Sequence, residues 1–202
     1  MKTKRVDTRR MVLLAMISGI LLIMSFTPLG YLNIGPLAIS LDMIPVAIGA
    51  VALGPGGGAF LGAVFGITSC LQCVGIGGTS AMGVILFEIS PLLTILQRFA
   101  TRLLAGWLTG VVYLALRRVH FPNAGYAAGF LAALFNTAFF MAALVLLFGQ
   151  TPYLQNLIAG RNILVFMLSF VGINAVVELL ASTLTVGVVC RALEKLKMIG
   201  GK

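Results

Sequence analysis

Apolar residues in this chain run in helix-length blocks without alternation, and the charged residues stand at the ends of those blocks. Few folds accept that pattern. Continuous blocks exclude the alternating strands of a transmembrane barrel. Of 202 residues, 60% are hydrophobic and 9% are charged, whereas soluble domains carry about 25% charged residues. The predicted class is therefore an all-α integral membrane protein, with one membrane domain over residues 1–202. The net charge of +9 would suit a nucleic-acid binder, but the cations cluster where the positive-inside rule places them. No nucleic-acid partner is expected.

Six transmembrane helices are predicted, at about 11–26, 42–53, 58–71, 98–116, 124–148 and 163–190, between a basic N-terminus (1–10) and a basic tail (191–202). No small-residue cleavage site follows the first apolar block, so it is read as a retained helix. The second and third helices are short for a bilayer, which implies tilt or local thinning. A short helix is expected near 81–88, inside the loop 72–97. With six crossings and both termini on one face, that face collects eleven lysines and arginines, and the other holds only Arg98, Arg102 and Arg161. Both termini are then cytoplasmic. The long loops 27–40, 72–97 and 149–162 face outward, over a ligand cavity.

The second and third helices meet at Gly54-Pro55-Gly56-Gly57-Gly58. Proline removes a backbone donor and glycines supply positive φ, so a turn over 54–58 is predicted. Gly58, Gly62 and Gly66 recur every fourth residue and make a smooth face for close helix packing. Ala15 and Gly19, with Ser18 adjacent, make a second flat patch on the first helix. It serves either packing within the chain or docking of a partner helix.

Ionisable groups inside a membrane are costly and point to function. On a straight helix Glu178 lies ~22 Å into the sixth span, with Asn174 one turn earlier on the same face. Asn136 lies at a similar depth in the fifth span. The three either converge on a polar pocket or glue helices together. Arg98 and Arg102 share a face near the outer end of the fourth span. A guanidinium there either binds a carboxylate or phosphate, with Arg102 the deeper and better placed, or snorkels to headgroups. Asp42 is expected to act as the N-cap carboxylate of the second helix. Glu88 is expected to be solvated or paired with Arg98. Cys70 and Cys73 form a CxxC without an acid or histidine nearby and are read as apolar filler, and the single His120 is no metal site. No nucleophile elbow, HExxH, Walker A or paired carboxylates occur. The chain is expected to be no enzyme, to hold no metal or cofactor, and to draw any driving energy from a partner or an ion gradient.

Four stretches carry a resemblance to a known family: FTPLGYLNIGPL, DMIPVAIGAVALGPGGGAFLGAVFGITS, SPLLTILQRFATRLLAGWLTGVVY and INAVVE. Over nearly its whole length the chain resembles the substrate-binding S-components of energy-coupling-factor (ECF) vitamin transporters, most closely the pantothenate type. It departs at Thr101, where the helix-four motif has proline, and at Asp42, where an uncharged residue or histidine is usual. The resemblance implies a six-helix subunit of the bacterial or archaeal cell membrane that captures one vitamin from outside. It also implies a membrane scaffold (T) subunit and two cytoplasmic ATPase subunits, which use the ATP. Ala15 and Gly19 occupy the positions of the family's scaffold-docking motif.

For pantothenate, Arg102 is expected to pair the carboxylate, and Asn136 and Asn174 to serve the hydroxyls and amide. Glu178 would accept from a hydroxyl or orient Asn174, and Thr79 and Ser80 would close the lid. Rival readings are another vitamin (folate, riboflavin or a thiamine-type precursor), an ion-coupled secondary transporter, and a membrane enzyme. Against a flat aromatic ligand, the single Trp107 lies away from the loops.

Overall fold

The computed structural model describes residues 8–27, 30–33, 38–77, 80–160 and 162–196. Its centre is a tight helical hairpin. Gly54 alone separates α2 (Met43–Leu53) from α3 (Pro55–Cys73). Gly54 has φ +79° and ψ −168°, a positive-φ extended conformation that is essentially confined to glycine and costs an L side chain roughly 1–3 kcal/mol. A Cβ there would meet nothing within 4 Å, so backbone conformation and not space calls for glycine. Pro55 takes the first turn of α3, where its missing N–H leaves no helical bond unmade. The turn expected over 54–58 thus shrinks to one residue, and residues 56–58 are helical.

The small-residue face of α3 meets α5 (Pro91–Arg118) backbone to backbone. A Cβ on Gly58 would fall on the carbonyl oxygen of Gly106, and one on Gly62 on that of Arg102. One on Gly66 would come within 2.9 Å of the Cα of Phe99. From the other side, a Cβ on Gly110 would come within 2.6 Å of the Cα of Pro55. α1 (Thr8–Ser25), α6 (Ala124–Phe148) and α8 (Ile163–Lys195) surround this pair, and α2 packs against α1, α3, α5, α6 and α8. A second close approach joins α6 to α8, where Ser182 Oγ donates to the Gly129 carbonyl at 2.8 Å. β1 (Tyr31–Asn33) and β2 (Ala38–Ser40) form a small antiparallel ribbon with Tyr31 opposite Ser40. α4 (Ala81–Ile89) and α7 (Pro152–Ile158) close one end, where Met82, Leu86, Leu154 and Ile158 pack with Leu144 and Phe148 of α6.

Among the described residues, five helices are long and apolar enough to cross a membrane: Thr8–Ser25, Pro55–Cys73, Pro91–Arg118, Ala124–Phe148 and Asn174–Lys195. The protein is an all-helical membrane protein apart from its small ribbon. α2 has 11 residues, a rise of about 16 Å against a hydrocarbon core of about 30 Å. It is enclosed by other helices, with Met43, Val46, Ala47, Ala50 and Val51 all buried, so it need not match the lipid thickness.

Three boundaries differ from the sequence expectation. α5 starts at Pro91 and not near 98, because Ser90 is an N-cap and Pro91 an opening helical residue. Thr151 caps a short helix, α7, inside the expected loop 149–162. α8 is broken at Gly172 (φ 15°, ψ −112°), so the expected straight helix is two pieces.

The glycines of the hairpin predict opposite outcomes at neighbouring positions. Gly56→Ala, which meets nothing within 4 Å and has no positive φ, is expected to raise stability by about 0.4–1 kcal/mol. Gly62→Leu, driven into the Arg102 carbonyl, is expected to abolish the monodisperse folded protein. Size-exclusion profiles and thermal unfolding in detergent check both.

Candidate functional site

The N-terminal half of α5 buries a polar face. Thr94, Gln97, Arg98, Thr101 and Arg102 recur at three- and four-residue spacing and are all buried. Arg98 is 4% exposed and Arg102 5%. Buried charge requires compensation. Arg98 finds hydroxyls: Nη1 donates to Ser69 Oγ at 2.9 Å and Nη2 to Ser80 Oγ at 3.0 Å. Its guanidinium lies 5.8 Å from the centroid of Phe140. Arg102 stacks over Phe65 at 4.6 Å and Phe140 at 5.6 Å, and its Nη1 donates to the Arg98 carbonyl at 3.2 Å. The ring faces supply the negative side of a quadrupole to both cations. Among the described residues no carboxylate pairs with Arg98, and its Nε has no partner. Glu88 is exposed and is not that partner.

α3 holds this face in place. Its Phe65 and Ser69 reach the arginines, while Thr68 and Gln72 reach a second buried network. There Ser25 Oγ donates to Asp42 Oδ2 at 2.8 Å and lies 3.1 Å from Thr68 Oγ1. Gln72 Nε2 donates to the Ser25 carbonyl at 2.8 Å. Asp42 occupies the N-cap position of α2 but its side chain makes no capping bond. Instead the carboxylate turns inward, fully buried. The expected N-cap role is thereby corrected: tethering α2 to α1 through Ser25 takes its place.

Of the residues singled out from sequence, Arg102 and Asn136 lie on facing helices. Asn136 is 8% exposed and one helical turn from Phe140, the ring both arginines face. Ser80 caps α4 by accepting from the Gly83 N–H at 3.3 Å and also accepts from Arg98. Its hydroxyl thus ties the start of α4 to the buried cation. Thr79 lies outside the described residues. Glu178 accepts from the Ser40 backbone N–H at 2.7 Å and lies in range of the Arg102 charge. The depth reckoned on a straight helix does not apply, because α8 is broken at Gly172, six residues before Glu178. Through Ser40, Glu178 holds the β2 end of the β1–β2 ribbon. Asn174 is half-buried one turn before. On α1, Ala15 is exposed and a Cβ on Gly19 would meet nothing within 4 Å. That patch is flanked by exposed Met16, Ile20 and Ile23.

The snorkelling alternative for Arg98 is overturned, since its head points into the bundle. Sequence reasoning also passed over Gln97, whose buried Oε1 has no partner among the described residues. The signal was there in the spacing of Thr94, Gln97, Arg98, Thr101 and Arg102 along one face.

A family model described as ECF transporter, substrate-specific component, matches residues 9–189. The chain belongs to this family. It is thus a multi-pass cell-membrane S-component, a substrate-binding transport subunit and not an enzyme. The pantothenate transporter PanT of Leuconostoc mesenteroides subsp. mesenteroides is 27% identical to this S-component over 193 residues, covering 90% of each chain. The family resemblance carried by the four motifs is confirmed.

The Glu178 contact yields a prediction about the ribbon. Glu178→Ala is expected to raise amide exchange at Ser40 about tenfold, the loss of one charge-assisted hydrogen bond of roughly 1.5 kcal/mol. Glu178→Gln keeps an acceptor oxygen and is expected to stay near wild type. Exchange mass spectrometry of residues 38–42 reads the difference.

Proposed function

We propose that this S-component captures pantothenate and delivers it as the specificity subunit of an ATP-driven ECF transporter. The observation that carries this reading is the buried Arg98, which among the described residues has hydroxyl and aromatic neighbours and no carboxylate, beside the buried Arg102. An apolar bundle keeps the Arg98 cation, with no carboxylate partner among the described residues, at a cost that an incoming anion relieves. A monocarboxylate such as pantothenate brings that charge, and a guanidinium grips a carboxylate by two parallel hydrogen bonds. The similarity to a protein named as a pantothenate transporter supports the same ligand.

In this reading Arg102 pairs the carboxylate and Arg98 adds charge from one turn away, its head already oriented by Ser69 and Ser80. Asn136 and Asn174 offer donors and acceptors to the amide and hydroxyls of the vitamin. Glu178 acts mainly through Ser40, holding the ribbon in place beside the cavity. Ser80, with Thr79, lies in the segment that closes over the ligand. Because Ser80 bonds Arg98, neutralising that guanidinium and ordering the start of α4 are coupled events.

The topology proposed with it has six crossings, α2 being an enclosed partial one. Both termini are cytoplasmic and the long loops face outward. A membrane scaffold subunit docks on the Ala15–Gly19 patch of α1, and two ATPase subunits consume the ATP. No cofactor or metal is required of this chain.

Calorimetric titration of the detergent-purified chain against a vitamin panel, without ATPases, tests the reading. Pantothenate is expected to bind tightly and saturably. Arg102→Ala and Arg98→Ala are each expected to weaken it by about 10- to 150-fold, the range for lost hydrogen bonds to a charged group. Unchanged affinity in both variants, or a tight hit on a cationic vitamin instead, would sink the carboxylate assignment.

A further inference from the structure

At the end of the bundle opposite α4 and α7, a cavity of about 1080 Å³ opens among the ends of six helices. Its floor is made by buried Val51, Tyr113, Ala124 and Cys190. Leu13, Leu53, Leu114 and Phe121 add apolar wall. Its lining also carries five arginines, Arg9, Arg10, Arg117, Arg118 and Arg191, against one acid, Glu194. None of these residues belongs to the vitamin-binding face.

The arginines are not equivalent. Arg117 is neutralised by an ion pair with Glu194. Arg191 donates to Asn123 Oδ1 at 3.1 Å and lies 4.7 Å from the centroid of Tyr126. Arg9 on α1 and Arg118 at the end of α5 are exposed and have no partner among the described residues. Two helices thus hold unpaired guanidinium groups at the mouth of one cavity. A scattering of cations at a bilayer boundary would need no cavity. Here the cations surround a recess with an apolar floor, which matches an amphiphile with an anionic head.

The depth fits as well. α5 ends at Arg118 and α6 begins at Ala124, both at the limits of membrane-long helices. The cavity therefore sits at headgroup level. Guanidinium forks match phosphate oxygens in geometry and charge. Basic pockets between membrane helices are a recurrent way of holding anionic headgroups.

We propose that this basin binds phosphate oxyanions, presented by the headgroup of an anionic phospholipid whose acyl chain lies along the apolar wall. Arg9 and Arg118 supply the free charge, and Arg191, held by Asn123 and Tyr126, supplies a pre-oriented fork.

The test is native mass spectrometry of the full-length detergent-purified protein, titrated with phosphatidylglycerol and with phosphatidylcholine of the same acyl chains. Phosphatidylglycerol is expected to be retained preferentially. Arg9→Gln with Arg118→Gln is expected to lower that preference by about fivefold per arginine, with phosphatidylcholine unaffected and the unfolding temperature unchanged. Millimolar inorganic phosphate that displaces the bound phosphatidylglycerol would uphold the oxyanion site and assign soluble phosphate as its source. Resistance to displacement would uphold the lipid. Equal retention of the two lipids by wild type, or an unaltered preference in the double variant, would overturn the proposal. So would a double variant that keeps its lipid preference but loses assembly with an ATP-hydrolysing module, which would assign the basin to an acidic protein surface.

Discussion

The contact between the backbones of α3 and α5 underlies the rest of this molecule. In lipid there is no hydrophobic force to press two helices together, so close packing and the dispersion it brings must do so. Gly58, Gly62 and Gly66 on one side, with Gly106 and Gly110 on the other, remove the side chains that would hold the axes apart. The consequence is positional. Gly62 lies directly on the carbonyl of Arg102, and only at that separation can the Arg102 guanidinium reach the face of Phe65 and Arg98 reach Ser69. The polar interior is therefore set by residues that have no side chain.

The two ends of the bundle treat positive charge in different ways. On the polar face of α5, two guanidinium groups are drawn into the interior and held by hydroxyls, a carbonyl and aromatic rings. Among the described residues Arg98 has no carboxylate partner, and the proposed carboxylate ligand would supply one. At the other end, the arginines stay at the boundary around an apolar recess, and one of them is already neutralised by Glu194. The first arrangement suits a small soluble anion that must be desolvated. The second suits an anion that arrives attached to a hydrocarbon chain.

Much of the fold was legible because its signals are local. The every-fourth-residue glycines announce a close-packing face whatever it packs against, and apolar blocks ended by arginines announce membrane helices. The candidate site was legible only in part. Arg102 stood out as a charge within an apolar helix, but Arg98 read equally well as a snorkelling residue. Its direction depends on Ser69 and Ser80, which lie on other elements. Asp42 looked like an N-cap because it precedes a helix. It turns inward to accept from the hydroxyl of Ser25, which is distant in sequence. The depth of Glu178 was misjudged for a different reason: one broken turn at Gly172 invalidates a rise counted along a straight helix.

The amino-acid sequence by itself determined the membrane class, the family, the hairpin and which helix face would allow close approach. These follow from hydropathy, charge placement and residue size along short stretches of chain. Only the tertiary structure decided which helix fills the glycine seam, that an 11-residue helix can sit enclosed and short of the bilayer thickness, and where the buried arginines point. Those outcomes depend on partners brought together across the fold, and no local pattern encodes the identity of a partner.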